Sequence, residues 1–432
     1  MVCLWSAVAR SLGPDGLGKI QLAYLLTVVV SLLTSVGLPI SNSYLLGQRL
    51  FPIAEVLGEN LLASILGSAI AVCVMIAAQG TLRRIVPVAP ELLLVTLAWI
   101  PLQTLVSNVS SILLAERRFG EQSLINVFQG TLSLGFVLIA LKFMAGGVRG
   151  VAVALVLSTF AGFIYLLVLL RAELAAISVP SAALVGESLA LGLKGYFGTL
   201  LQLFTYRFDV FVVGRFSGTT ALGYYAIAYS VTECVWQIPQ AIATVLMPTT
   251  ASSGVQEANQ RTSRICRVSV AFTVVGGVLF ALVSTWLVPF LFGQASKRSV
   301  LLIWVLLPGT LAFVLPKVIA ADLCGRGRAE YASYASFGGL LATIVLDLLL
   351  IPRFGALAAA AISSVVYIAQ AIYFVACFCV LSGVPPEQVI VQTWSDVRAL
   401  ASSSRLAVRK CLLSPGIACP HLGAKTSILT RE

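Results

Sequence analysis

A chain of 432 residues that is 59% hydrophobic, only 10% charged and of mean hydropathy +0.99 is not a soluble globular domain, because charged residues make up about a quarter of such domains. Apolar runs recur along almost its whole length, each close to the roughly 20 residues that cross a bilayer core. The net charge of +11 comes mostly from short loops and the C-terminal tail. That distribution suits cytoplasmic loops facing anionic headgroups and excludes a nucleic-acid partner as its reason.

In chain order, the runs break at glycine, proline and charge clusters. "MVCLWSAVAR" at the start is too short to cross. Full spans are expected at 20–46, 59–79, 90–115, 123–145, 150–171, 190–214, 223–249, 265–289, 298–320, 333–351 and 356–382. The runs are continuous and do not alternate, so they read as helices and not as strands of a barrel. Connections such as "ERRFGEQ" (116–122), "GGVRG" (146–150) and "IPRFG" (351–355) leave no room for an extramembrane domain. No cleavable signal peptide stands out. The polar tail carries Arg398, Arg405, Arg409 and Lys410, which places it on the cytoplasmic side. The nine cysteines are scattered, mostly inside apolar runs, and read as small packing residues.

The chain contains an internal repeat. "LGKIQLAY" (17–24) and "LGYYAIAY" (222–229) share L-G-x-x-x-[LI]-A-Y at an offset of 205, and "GVAVA" (150–154) and "GALAA" (355–359) stand at the same offset. Two homologous six-helix halves are therefore expected, with a path between them. At this offset Arg10 falls on Arg215 and Met1 on Tyr206, in the middle of a span. The chain is thus expected to begin halfway through its first helix, about ten residues at 1.5 Å each being half a crossing, with roughly 15 residues missing from a ~30 Å span.

Charges inside spans are costly, about 2.5–3.5 kcal/mol at a helix centre, so each needs a partner or a purpose. In "TYRFDVFVVGR" (205–215), Arg207 and Asp209 are two apart and point away from each other on a helix. Asp209 shares a small, polar face with Gln202 and Tyr206, and Arg207 shares its side with Tyr196, Leu200 and Leu203. The next span carries Tyr225, Tyr229, Glu233, Gln237 and Gln240 along one stripe, and its counterpart carries Tyr24, Thr27, Ser31 and Ser35. The Tyr–Glu–Gln stripe is expected to line a water-accessible cavity, whereas the serines and threonines read as helix–helix glue. Lys194 lies in the first turn of its span, where snorkelling competes with function. Asp347 reads as an interfacial charge near a helix end.

Enzyme chemistry finds little support. The only histidine is His421 in the tail, "GRGRAE" (325–330) lacks the context of a phosphate loop, and no loop is large enough to carry catalytic groups. No catalytic residue, metal site or cofactor is expected.

Three stretches carry a family resemblance. "SLGPDGLGKIQLAYLLTVVVSLLTSVGLP" (11–39), "YRFDVFVVGRFSGTTALGYYAIAYSVTECVWQIPQAIATVLMP" (206–248) and "LIPRFGALAAAAISSVVY" (350–367) resemble Wzx-type polysaccharide flippases. These belong to the MOP superfamily, which also holds multidrug antiporters and lipid II flippases. The resemblance runs from residue 1 to about 385. It implies an all-α polytopic membrane protein with a MATE-like, two-lobe fold of two pseudo-symmetric halves, with eleven full spans and a partial first one. The expected division is an N-lobe at 1–171 with a truncated first helix, a linker at 172–189, a C-lobe at 190–383 and a cytoplasmic basic tail at 384–432.

The resemblance further implies alternating access in the bacterial inner membrane. The cargo would be an undecaprenyl-pyrophosphate-linked oligosaccharide for O-antigen, capsule or exopolysaccharide, in company with a polymerase and chain-length machinery. By position, Arg207 and Lys194 become candidate head-group ligands, Asp209 and Glu233 candidates for charge balance or ion coupling, and Tyr225, Tyr229 and Gln237 sugar contacts. The alternatives are an ion-coupled small-molecule exporter of the same superfamily and, further off, a membrane enzyme of glycan assembly.

Overall fold

The computed structural model describes residues 2–80, 90–143, 147–251, 254–328 and 330–390. Among these the chain is almost entirely helical and contains no strand. Nine helices among the described residues are long and apolar enough to cross a membrane. The protein is a multi-pass membrane protein.

The first half comprises α1 (Val2–Ser35), α2 (Leu38–Gly47), α3 (Ile53–Ala77), α4 (Pro90–Ala115), α5 (Phe119–Phe143) and α6 (Gly147–Leu169). A short α7 (Arg171–Ala175) leads to the second half. This contains α8 (Ala182–Phe216), α9 (Gly218–Thr232), a 3-10 turn (Glu233–Trp236), α10 (Gln237–Ala251), α11 (Val255–Phe292) and a second 3-10 turn (Gln294–Lys297). It continues with α12 (Arg298–Ala312), α13 (Val314–Gly325), α14 (Glu330–Phe354), α15 (Ala356–Ser382) and α16 (Pro386–Ile390). Beyond residue 390, the basic tail and His421 lie outside the described residues.

Several boundaries differ from expectation, for one recurring reason. The span expected at 20–46 stops at Ser35 and restarts at Leu38. The span at 223–249 tightens to a 3-10 turn at 233–236, and the span at 298–320 breaks at Phe313. Each break lies four residues before a proline: Ser35 before Pro39, Val235 before Pro239, and Ala312 before Pro316. Proline lacks the N–H that would bond to the carbonyl at i−4, and its ring collides with that carbonyl. The ladder therefore gives way one turn upstream. At the first break Val36 and Gly37 take positive φ, 46° and 78°.

The opening run forms the first part of α1, which kinks at Gly13 (φ 70°, ψ 179°), after which Pro14 restarts the helix, a first-turn position where its missing N–H costs nothing. Helix α8 begins at Ala182, well before the expected 190, because Ser181 caps it by accepting from the Leu184 amide at 3.2 Å. With α7, most of the linker expected at 172–189 is thus helix. The cluster at 116–122 acts as an anchor: Arg118 bonds Glu121 at 2.6 Å and Glu173 of α7 at 2.9 Å.

The repeat reappears in the packing. In the first half α1 packs on α4, α4 on α6 and α5 on α6; in the second α9 packs on α12, α12 on α15 and α14 on α15. Helix α1 lies against α9, which carries the second copy of its motif. Thr27 and Ser35 bond back to their own helix and Ser31 to the Ile100 carbonyl of α4 at 3.3 Å, so the α1 hydroxyls serve packing.

Candidate functional site

Arg207 and Asp209 sit in the second half of α8 and face different neighbours. The Arg207 Nη2 donates to Glu233 Oε2 at 2.7 Å, and its guanidinium lies 4.4 Å from the centre of the Tyr229 ring. Asp209 is buried at 4% exposure. It accepts from the Tyr225 hydroxyl, from the Ser363 hydroxyl at 3.2 Å and from the Val210 amide at 2.7 Å. The two charges are therefore separate systems: one is an ion pair and the other a carboxylate held by hydroxyls.

The ion pair lines a cavity of about 390 Å³ between the halves. Gln21 and Tyr24 of α1, Arg207 of α8, Tyr229 of α9, Glu233 and Gln237 contribute its polar wall. The Tyr229 hydroxyl donates to Gln21 Oε1 at 2.9 Å, a bond from one half to the other. Tyr24 and Tyr229, the last residues of the two motif copies, face the same space. Glu233 occupies one N–H of Arg207, and most of its donors stay available. An anion entering here would find a guanidinium, phenol hydroxyls and amides, in a setting of low dielectric that strengthens each contact.

Of the sequence-predicted residues, the structure brings Arg207, Glu233, Tyr229 and Gln237 together. It does not bring Tyr225 or Asp209 to that cavity: Tyr225 is 1% exposed and bonded to Asp209. The expected single stripe from Tyr225 to Gln240 is split, because the 3-10 turn changes the helical phase. Gln240 opens instead onto a second cavity. The Lys194 side chain lies outside the described residues.

Two residues depart from the sequence reading. Asp347 is not interfacial: it is fully buried on α14, which packs on α8, and neither carboxylate oxygen has a hydrogen-bond partner among the described residues. Lys317 escaped notice because it stands near the end of an expected span, where a lysine reads as a snorkelling charge. The break at Phe313 makes it the fourth residue of a new helix, facing a cavity of about 370 Å³ with Gln202, Tyr206 and Gln240. The signal that could have found it is the proline just before it, Pro316. In the first half a third cavity, of about 340 Å³, is lined by Trp5, Tyr24, Trp99, Gln103, Asn126 and Gln129.

A family model described as "Polysaccharide biosynthesis protein" matches residues 7–301, which include both motif copies, Arg207 and Glu233. The chain belongs to this family. A comparison with curated protein sequences finds no match. Among solved structures, the chain is similar to the inward-facing form of a multidrug resistance MATE transporter of the MOP superfamily, with a TM-score of 0.74 and 15% identity. That match covers 88% of this chain and 93% of the other. It is equally similar to the lipid II flippase MurJ in an inward closed conformation, with a TM-score of 0.74, 13% identity, and coverage of 97% and 91%. An outward-facing MATE transporter gives a TM-score of 0.64 at 16% identity, covering 88% and 91%. At these identities the likeness establishes the fold, a MATE-like arrangement of two pseudo-symmetric halves. Family and fold together describe a polysaccharide biosynthesis protein with the fold of these MOP-superfamily structures.

Proposed function

We propose that this polysaccharide biosynthesis protein flips an undecaprenyl-pyrophosphate-linked oligosaccharide across the bacterial inner membrane by alternating access. The observation that carries the reading is the cavity between the halves. An arginine with donors to spare faces tyrosines from both motif copies and Gln237 there. Arg207 takes the diphosphate, which competes with Glu233 for the guanidinium, and the phenol faces and amides take the sugar. Asp209 acts one layer behind, holding Tyr225 and thereby the packing of α9 on α8.

The reading divides the chain into an N-lobe at 1–171, a linker at 172–189, a C-lobe at 190–383 and a cytoplasmic tail. Polymerase and chain-length proteins are its partners at the far face. The greater likeness to an inward-facing than to an outward-facing relative supports an inward-facing state.

Complementation tests it. In a strain lacking its own flippase, the wild-type chain restores surface polysaccharide and Arg207→Gln does not. Full restoration by Arg207→Gln would sink the reading. One observation favours a second reading, an ion-coupled exporter: two buried carboxyl groups, Asp209 and Asp347, lie on packed helices. Drug efflux lost in both Asp→Asn variants, with no effect on polysaccharide, would favour the exporter.

A further inference from the structure

The cavity of the second half holds a cation that forms no ion pair with an acidic side chain among the described residues. Lys317 Nζ lies 5.5 Å from the ring centres of Tyr206 and Trp236 and 5.6 Å from that of Phe313, and it makes no ion pair among the described residues. Glu233, whose charge is felt at Lys317, makes its ion pair with Arg207, at 2.7 Å. Gln370, 8% exposed, lines the same cavity: its Nε2 donates to the Ala335 carbonyl at 3.1 Å, while its Oε1 has no partner among the described residues. Gly339 makes room for that amide, since a Cβ there would lie 2.3 Å from Gln370 Nε2. Gln202 and Gln240 add exposed amides to the same wall.

An unpaired ammonium over aromatic faces, a buried unsatisfied acceptor and neutral amides ask for a ligand of matching make-up. It needs one negative charge, several hydroxyls and a ring face with C–H groups to lie on aromatic carbon. A diphosphate fits badly, because it brings more than one charge to a single cation and no ring. We propose that the Lys317 cavity is a subsite for an acidic sugar, a pyranose bearing one carboxylate, with Lys317 on the carboxylate and Gln370 accepting from a ring hydroxyl. The space of about 370 Å³ admits a single sugar ring with solvent around it. As the source of that sugar, the inference rests on the proposed flippase function. The binding chemistry does not.

Binding of free sugars to the purified full chain in detergent, followed by tryptophan fluorescence, tests the subsite. Glucuronate is expected to change the emission saturably and to bind about tenfold more tightly than glucose, which differs only at C6. The change disappears in Trp236→Phe. Lys317→Gln keeps the glucose affinity and loses the preference for glucuronate, and Lys317→Arg retains it. Equal affinity for the two sugars in the wild type, an unchanged preference in Lys317→Gln, or loss in Lys317→Arg as complete as in the glutamine variant overturns the proposal. So does inorganic pyrophosphate displacing glucuronate at lower concentration than glucuronate itself needs, which would make the site one for diphosphate. If the preference holds and complementation fails, the subsite stands and the flippase reading falls.

Discussion

Gly18 and Gly223 bring α1 and α9 together so closely that neither has room for a Cβ. One on Gly18 would lie 1.9 Å from the Thr219 carbonyl oxygen, and one on Gly223 would lie 1.8 Å from that of Pro14. Each glycine is the other's counterpart at the offset of 205, and so are Pro14 and Thr219. The repeat is thus not only a trace of duplication: its two copies meet across the axis that relates them. Asp15 reinforces the contact by bonding Lys19 at 2.7 Å and accepting from the Thr219 hydroxyl.

Alanine at either glycine is expected to force α1 and α9 apart. Overpacking against backbone, which cannot rotate away, costs about 1–3 kcal/mol. Thermal unfolding in detergent should show Gly18→Ala and Gly223→Ala melting several degrees lower than the wild type. Gly186→Ala, where a Cβ meets nothing within 4 Å, should melt no lower, because alanine favours helix by about 1 kcal/mol.

The Arg207–Glu233 pair is half-buried, with side chains 24% and 23% exposed. Removing one partner leaves the other charge facing a cavity of low dielectric, and a loss of about 2 kcal/mol is expected for Arg207→Gln or Glu233→Gln. The double variant should recover much of that loss, since no charge is left unpaired. Additive losses in a double-mutant cycle would show that the two side chains do not interact.

Much of this was legible in the residues. Apolar run length announced the spans, and the offset of 205 announced the halves, because both are one-dimensional properties. Helical spacing placed Tyr229, Glu233 and Gln237 on one face, and they share one cavity. Spacing alone does not say what covers a face. Tyr225 belongs to the same stripe yet is sealed beneath Ser363 and Asp209, contributed from α15 and α8. The helix breaks were equally hidden, since each proline acts on a carbonyl a turn upstream of itself. That displacement is what carried Gln240 to a different cavity and gave Lys317 its setting.

Asp209 and Asp347 should respond in opposite ways to the same change. Asp209→Asn weakens three hydrogen bonds, and Tyr225→Phe removes one of them, at about 1–2 kcal/mol. Among the described residues Asp347 has no hydrogen bond to lose, and an unpartnered carboxyl group in an apolar interior is a net cost. Asp347→Asn should therefore melt at or above the wild-type temperature, and Asp347→Leu should lose no more than about 1 kcal/mol of stability. A marked fall for Asp347→Asn would mean that its carboxylate has a partner beyond the described residues.

The central claim is that a guanidinium between two repeated halves receives the anionic head of a lipid-linked glycan. Reconstitution tests it most directly. The purified chain goes into vesicles with a fluorescent undecaprenyl-pyrophosphate-linked oligosaccharide, and appearance of the glycan at the far face is followed with a membrane-impermeant quencher. Transfer well above that of protein-free vesicles is expected. So is a rate for Arg207→Gln lower by about tenfold or more, the loss of one charge-assisted hydrogen bond in the rate-limiting complex. Transfer no faster than in protein-free vesicles, or an Arg207→Gln rate equal to the wild type, would contradict the claim.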